Sequence, residues 1–199
     1  MKHCLIILSF FVTLQASSQA LNFKTDIATA KSAYASGKLE DAHFALQQSM
    51  QEIDIIIGKE VLKLLPLKMD TLPAVIAQDN VTGNISFVGA TIHRSYGKGT
   101  KKAEVEIVNN SPLLGTLNAF LTSPLLAGLG NDGKTKVLKI QGYKSRLTKE
   151  DNAGGNPSYR LEIPFSNALV TLNVNNSTDT EIIAMANSIP FDQIAKLIQ

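Results

Sequence analysis

The chain has 199 residues, 44% of them hydrophobic and 18% charged, with a formal net charge of +2, one cysteine and no tryptophan. A balance this close to neutral supplies no electrostatic reason for a nucleic-acid or anionic-membrane partner. A single cysteine excludes an intrachain disulfide framework, and the hydrophobic share argues for a globular chain.

The first twenty residues, MKHCLIILSFFVTLQASSQA, open on Lys2 and His3, run apolar from Cys4 to Leu14 and close on Ser18-Gln19-Ala20. That is the layout of a secretory signal peptide, residues 1–20, cleaved after Ala20. The apolar run is shorter than the about 20 residues that a membrane span needs. Cys4 precedes the run, whereas a lipid anchor wants its cysteine just after it. The protein is therefore expected to be exported, periplasmic or secreted. Its mature part would lack cysteine and so any thiol nucleophile or thiolate metal ligand.

Residues 21–65 read as a helical hairpin. Ile27, Ala30 and Tyr34 recur at helical spacing, Gly37 breaks the pattern, and Leu39, Ala42, Leu46, Met50, Ile53 and Ile57 resume it. Within it, Ala30, Tyr34, Gly37, Leu39, Ala42 and Leu46 resemble one tetratricopeptide-type repeat. Asp54 stands where that pattern closes on proline and no second copy follows. At least three repeats are normally needed for a stable array, so a lone hairpin is expected. Pro66 and Pro73 end the helical pattern, and residues 66–83 read as a linker.

From residue 84 to 199 the period changes from 3.6 to 2. Asn84–Tyr96 and Lys101–Asn109 alternate around the turn GKGT and predict an antiparallel pair. Ser111 is expected to cap a helix with Pro112 in its first turn. TKVLKIQGY, YRLEIPF and NALVTLNV read as three more strands, with Tyr159, Leu161, Ile163 and Phe165 on one face and Pro164 marking an edge or an end. A last helical stretch from Asp179 to Ile198 would be capped by Asp179 or Thr180 and broken at Pro190. The fold class is α+β: an antiparallel sheet of about five strands covered by helices on one face, preceded by the N-terminal helical hairpin. The uncharged stretch 107–131 carries two prolines, glycines and many polar residues, a dilution that argues against a membrane span in the mature chain.

Chemistry-bearing motifs are sparse. Gly128–Thr135, GLGNDGKT, fits the P-loop formula, but a P-loop needs a strand before it and a helix after it. Here an apolar helix precedes it and the β-branched KVLKIQG follows, so a helix-to-strand connection is expected. His43 and His93 have no neighbouring ligands at zinc spacing, and no G-x-S-x-G elbow marks a nucleophile. Glu104 and Glu106 alternate on what should be a solvated strand face. The loop Thr148–Ser158 carries Glu150, Asp151 and Asn152 without the spacing of a calcium loop. No cofactor, metal or catalytic residue is assigned.

VEIVNNSPLLGTLNAFLTSPLL followed by VLKIQGYKSRL, with Val105, Ile107, Ser111, Pro112, Leu113, Leu114, Ile140 and Gly142 as the matching positions, resembles a group of uncharacterised exported bacterial proteins. The layout is also similar to small helix-on-sheet domains of the PsbP and Mog1 type, which implies binding or assembly roles by analogy of fold alone. The expected function is a non-enzymatic periplasmic or secreted binding protein whose partner is an unidentified envelope protein or an apolar small molecule. It would use the cleft between helices and sheet, or the hairpin. The alternative is an envelope carrier or chaperone for an apolar ligand, with Leu113, Leu117, Phe120, Leu121 and Leu125 lining a pocket. Enzymatic activity would gain if the fold brought His93 or His43 to a serine or carboxylates in a pocket.

Overall fold

The computed structural model describes residues 16–83, 89–123, 133–152 and 156–198, with side chains from residue 22 onward. The chain divides into two compact units, Met1–Glu52 and Ile53–Gln199, and the division falls inside a helix.

The first unit holds α1 (Ala16–Ala35) and the start of α2 (Leu39–Leu64). Gly37, at φ +71°, makes the reversal between them as its spacing predicted. The seam is built from small residues: Ala30 and Ala33 on α1, and Ala42, Ala45 and Ser49 on α2, are buried. Side chains this small let two helix backbones approach closely. The larger apolar residues of the sequence pattern fan outward, Tyr34 being 72% and Leu39 64% exposed. At the end of the unit the Glu52 carboxylate has one oxygen buried without a hydrogen-bond partner among the described residues. Its pKa is raised above the ordinary 4.5, first by burial and then by the Asp26 charge, with a hydrogen bond from Asn22 acting in the opposite direction.

The second unit begins with the last turns of α2 and contains a seven-stranded sheet in which every pairing is antiparallel. A small hairpin, β1 (Lys68–Met69) and β2 (Leu72–Pro73), precedes a 3-10 turn at Ile76–Gln78. The sheet strands are β3 (Asn80–Gly83), β4 (Ala90–Lys98), β5 (Lys101–Asn109), β6 (Thr135–Ile140), β7 (Tyr143–Glu150), β8 (Ser158–Phe165) and β9 (Ala168–Val174), in the order β3-β4-β5-β9-β8-β7-β6. Helices α3 (Leu114–Thr122), α4 (Asp179–Asn187) and α5 (Phe191–Ala195) complete the described elements. The α+β class is as expected, but two sheet strands were not anticipated. β3 lies in the stretch read as linker, where Val81 is its one large apolar residue. β7, YKSRLTKE, is so charged that only its hairpin turn Gln141-Gly142, with φ values of +46° and +91°, signals it.

One face of the sheet carries the core. Ile92 and Tyr96 of β4, Val105 and Ile107 of β5, Val170 and Leu172 of β9, and Leu161 and Ile163 of β8 are all buried there. Ile182 and Met185 of α4, Phe191 and Ile194 of α5, and Val61 and Leu65 of α2 pack against them. Each such side chain is worth about 1.5–3 kcal/mol of burial. Tyr143, Phe165 and Phe191 meet with ring centroids 5.1–5.8 Å apart. The alternation read in YRLEIPF holds, and Pro164 lies beyond Glu162, the last β8 residue paired with β7, so its missing N–H costs no bond on that side.

Two cap assignments are corrected. α4 is capped by Thr178, whose hydroxyl accepts from Glu181 N–H while the Glu181 carboxylate accepts from Thr178 N–H. This is the T-x-x-E capping box, one residue upstream of Asp179. Ser111 accepts from Leu113 N–H in a turn ahead of α3, which itself starts at Leu114. Helices are also not confined to one face: α3 lies on the opposite one, where Leu117 and Leu121 bury against Leu169. No helix among the described residues is long and apolar enough to cross a membrane.

The buried polar centre of this unit is Arg94, on the core side of β4. Its Nε donates to Asp79 at 2.9 Å, a second nitrogen donates to the other Asp79 oxygen, and Nη1 donates to the Leu65 carbonyl at 2.9 Å. The two side chains are 5% and 11% exposed. Beside them the Tyr96 hydroxyl is buried next to the Arg94 guanidinium, and burial pushes its pKa up to about 12 against the lowering effect of that charge.

Replacing Arg94 by Met strands the Asp79 carboxylate and the Leu65 carbonyl, so urea denaturation should show a loss of about 3–5 kcal/mol. A loss below about 1 kcal/mol would show that the pair does not hold this unit together. In the first unit the raised Glu52 pKa contributes stability that is complete below pH 4.5 and lost as pH rises through the folded value. Glu52→Gln should therefore raise the helical melting temperature at about pH 7 and leave it unchanged at about pH 4, read by circular dichroism; an equal shift at both would refute the titration.

Candidate functional site

The face of the sheet opposite the core is polar, because the residues that alternate with the core positions are polar. Across it the register aligns Ser95, Glu104, Asn173, Arg160 and Thr148 in one row. The next row is His93, Glu106, Thr171, Glu162 and Arg146. α3 covers part of this face. There Glu162 is buried and accepts two bonds from Arg146, at 2.7 and 2.9 Å, and the guanidinium sits 5.2 Å from the Phe120 ring centroid. Such a bidentate, stacked arginine is ordered on both sides.

At the other end of the face lies a cleft of about 220 Å³. Its floor is small by sequence: Ser95, Gly97 and Gly99 follow one another at alternate positions of β4 and its turn. Gly97 has φ +77°, and a Cβ there would stand 2.7 Å from the Lys101 carbonyl oxygen, so the position accepts only glycine. Longer side chains wall the depression, Lys102 and Glu104 on β5, and Lys98 borders it at the end of β4. The opposite wall is Val75 and Gln78, held against β4 by the Val75 N–H to Ser95 carbonyl bond of 2.8 Å and the Ala74–Tyr96 bridge. Glu104 stands directly opposite Ser95, and Lys102 opposite Gly97. The side chains of Lys98, Lys102 and Glu104 have no ion-pair or hydrogen-bond partner among the described residues.

The buried Ser95 hydroxyl lies 3.0 Å from His93 Nε2. At that distance a serine and a histidine can exchange a proton, as a nucleophile and base do. The other ring nitrogen meets no carboxylate among the described contacts, although Glu106 is its register partner across β5. The serine sits in the middle of a strand, where its neighbouring N–H groups serve the ladder. Ser95 thus gives the cleft a polar floor with His93 beside it on the strand, and a hydrolytic centre would need further groups.

A second concavity, an open groove of about 690 Å³, runs along the helical unit between Thr29, Ser32 and Ala33 of α1 and Phe44, Ala45 and Gln48 of α2. It is the larger of the two and is also lined by polar residues, Asp26, Lys38 and Asp41 among them, but none of these polar residues is buried. The chemistry is concentrated at the β4–β5 end of the sheet.

Of the residues read as an apolar pocket, Leu117 and Leu121 are buried on Leu169, Phe120 is half-buried beneath Arg146, Leu113 is 58% exposed, and Leu125 lies outside the described residues. Most of GLGNDGKT also lies outside them. Its last residues are described: Lys134 pairs with Asp151 at 3.1 Å, and Thr135 begins a strand where a phosphate loop requires a helix. In the loop 148–158, Asp151 is held by Lys134 and Lys149, which lower its pKa, and Glu150 faces Arg160 at 3.7 Å. His43 is exposed on α2. No group of three or more metal-ligating side chains occurs among the described residues.

Sequence inspection passed over Ser95, Lys102 and Gln78. The signal present was SYGKGTKK, where small residues alternate beside a run of lysines; what it lacked was the wall, which comes from residues 75–78. Comparison with protein-family models, with curated proteins and with solved structures gives no match to this chain.

Gly97→Ala combines a left-handed backbone with a clash against Lys101, whereas Gly99→Ala, at φ +70° with open space around it, meets the torsional cost alone. Urea denaturation should therefore show a loss of about 1–2 kcal/mol for Gly99→Ala and a clearly larger one for Gly97→Ala. Equal losses would mean that Lys101 does not close the floor of the cleft.

Proposed function

We propose that the protein is an exported, non-enzymatic binding protein that takes a small polar ligand in the β4–β5 cleft. One observation carries this reading: two oppositely charged side chains without side-chain partners among the described residues, Lys102 and Glu104, stand beside a depression floored by Ser95 and two glycines. Charges left unpaired around a concave site are what a ligand of matching polarity recognises. The leader-like first twenty residues support an envelope or extracellular setting.

The alternative of an apolar-ligand carrier draws less support. Leu117 and Leu121 already use their apolar surface on Leu169, and a carrier would need that surface open to its cargo. The polar cleft, by contrast, has its groups in place without any rearrangement.

Titration of the full chain, 15N-labelled, with a set of small carboxylates, amines, amino acids and sugars tests the proposal. Saturable shifts centred on the amides of Ser95, Gly97, Gly99 and Lys102 are expected. Shifts centred on Leu117 and Leu121, obtained with fatty acids in place of the polar set, would transfer the function to the apolar alternative.

A further inference from the structure

Resting on the cleft as the binding site, we infer that its ligand is a small amino-carboxylate, a molecule carrying an ammonium and a carboxylate a few bonds apart. The size comes first: about 220 Å³ corresponds to roughly seven water molecules at about 30 Å³ each, below the range of drug-sized ligands. A ligand of amino-acid size fits that space.

The charge pattern then selects the class. Lys102 and Glu104 are two residues apart on β5, so both point to the same face with their Cα atoms about 7 Å apart. The register sets Glu104 opposite Ser95 and Lys102 opposite Gly97. A simple anion would satisfy Lys102 and press against Glu104. A simple cation would satisfy Glu104 and face the Lys102 ammonium. A neutral sugar would desolvate two charges and neutralise neither, a cost that binding must overcome. A zwitterion answers both signs, its carboxylate toward Lys102 and its ammonium toward Glu104.

The neutral groups agree with that orientation. The Ser95 hydroxyl, beside Glu104, is a hydrogen-bond partner for the ammonium end, and the Gln78 amide on the opposite wall offers both donor and acceptor. The same pattern separates this cleft from the ion-paired positions of the unit. There, Lys101 pairs with Glu181 at 2.8 Å, Lys136 with Asp179 at 3.0 Å and Arg146 with Glu162 at 2.7 Å. Those pairs are internally neutralised; the cleft is not.

Calorimetric and NMR titration of the full chain with alanine, propionate and ethylamine isolates the two charges at nearly constant size. Alanine is expected to bind about 10-fold or more tightly than either single-charge analogue, a difference of about one charge-assisted hydrogen bond. Lys102→Met and Glu104→Gln should each weaken alanine about 10-fold, and Glu104→Gln should bring propionate close to alanine. Both side chains are exposed, so neither change should disturb the fold, which circular dichroism verifies. Propionate binding the native chain as well as alanine would overturn the zwitterion while leaving the cleft as an anion site. Absence of any shift at Ser95, Gly97 and Gly99 with all three probes would overturn the zwitterion, and the same absence with the sugars would overturn the cleft itself.

Discussion

Arg94 is the constraint on which the sheet unit depends. A guanidinium this buried is tolerated only if its charge and its donors are met, and here they are met by three parts of the chain distant in sequence. Asp79 supplies the countercharge, the Leu65 carbonyl at the end of α2 takes another donor, and the guanidinium itself hangs from the middle of β4. Helix end, connecting segment and strand are thereby brought to one point. The next residue along β4, Ser95, points to the other face, and its carbonyl receives Val75 N–H. Anchoring Asp79 on the core side thus also seats residues 75–78 as a wall on the polar side.

The two faces of the sheet follow from a period of two. Even positions of β4 and β9 and odd positions of β5 and β8 carry the apolar core side chains, with Arg94 among them, and the intervening positions are mostly polar, Ser95, His93, Glu104, Thr171 and Arg160 among them. A polar face does not require cover, and α3 covers only the part where Leu169 interrupts the polar rows. Where cover stops, the row from Glu104 to Thr148 remains accessible. The cleft arises at its end because β4 changes there to small residues while β5 keeps long ones.

A proposed ligand site at this place is consistent with how stability is distributed. The core and the Arg94 network hold the floor strands β4 and β5 in position, so the charges of the cleft need no support from each other. They remain unpaired at little cost while solvated. The helical unit is built differently, on a seam of alanines, and it leaves its larger apolar side chains outward.

Much of this architecture was legible in the residues themselves. The period of 3.6 broken at Gly37 specified a helical hairpin, and the alternation in KKAEVEIVN, YRLEIPF and NALVTLNV specified strands together with their buried faces, because burial of a face is a local, repeating demand. The capping box at Thr178 was also there, one residue before the positions favoured for it. By contrast, β3 and β7 carry too few apolar residues to announce themselves; pairing with β4 and with β6 and β8 makes them strands, and pairing is non-local. The same holds for the cleft. Sequence alone determined that Ser95, Gly97 and Gly99 are small and that Lys102 and Glu104 share one strand face. Only the tertiary structure decided that residues 75–78 stand across from them, because a buried guanidinium had to find its carboxylate.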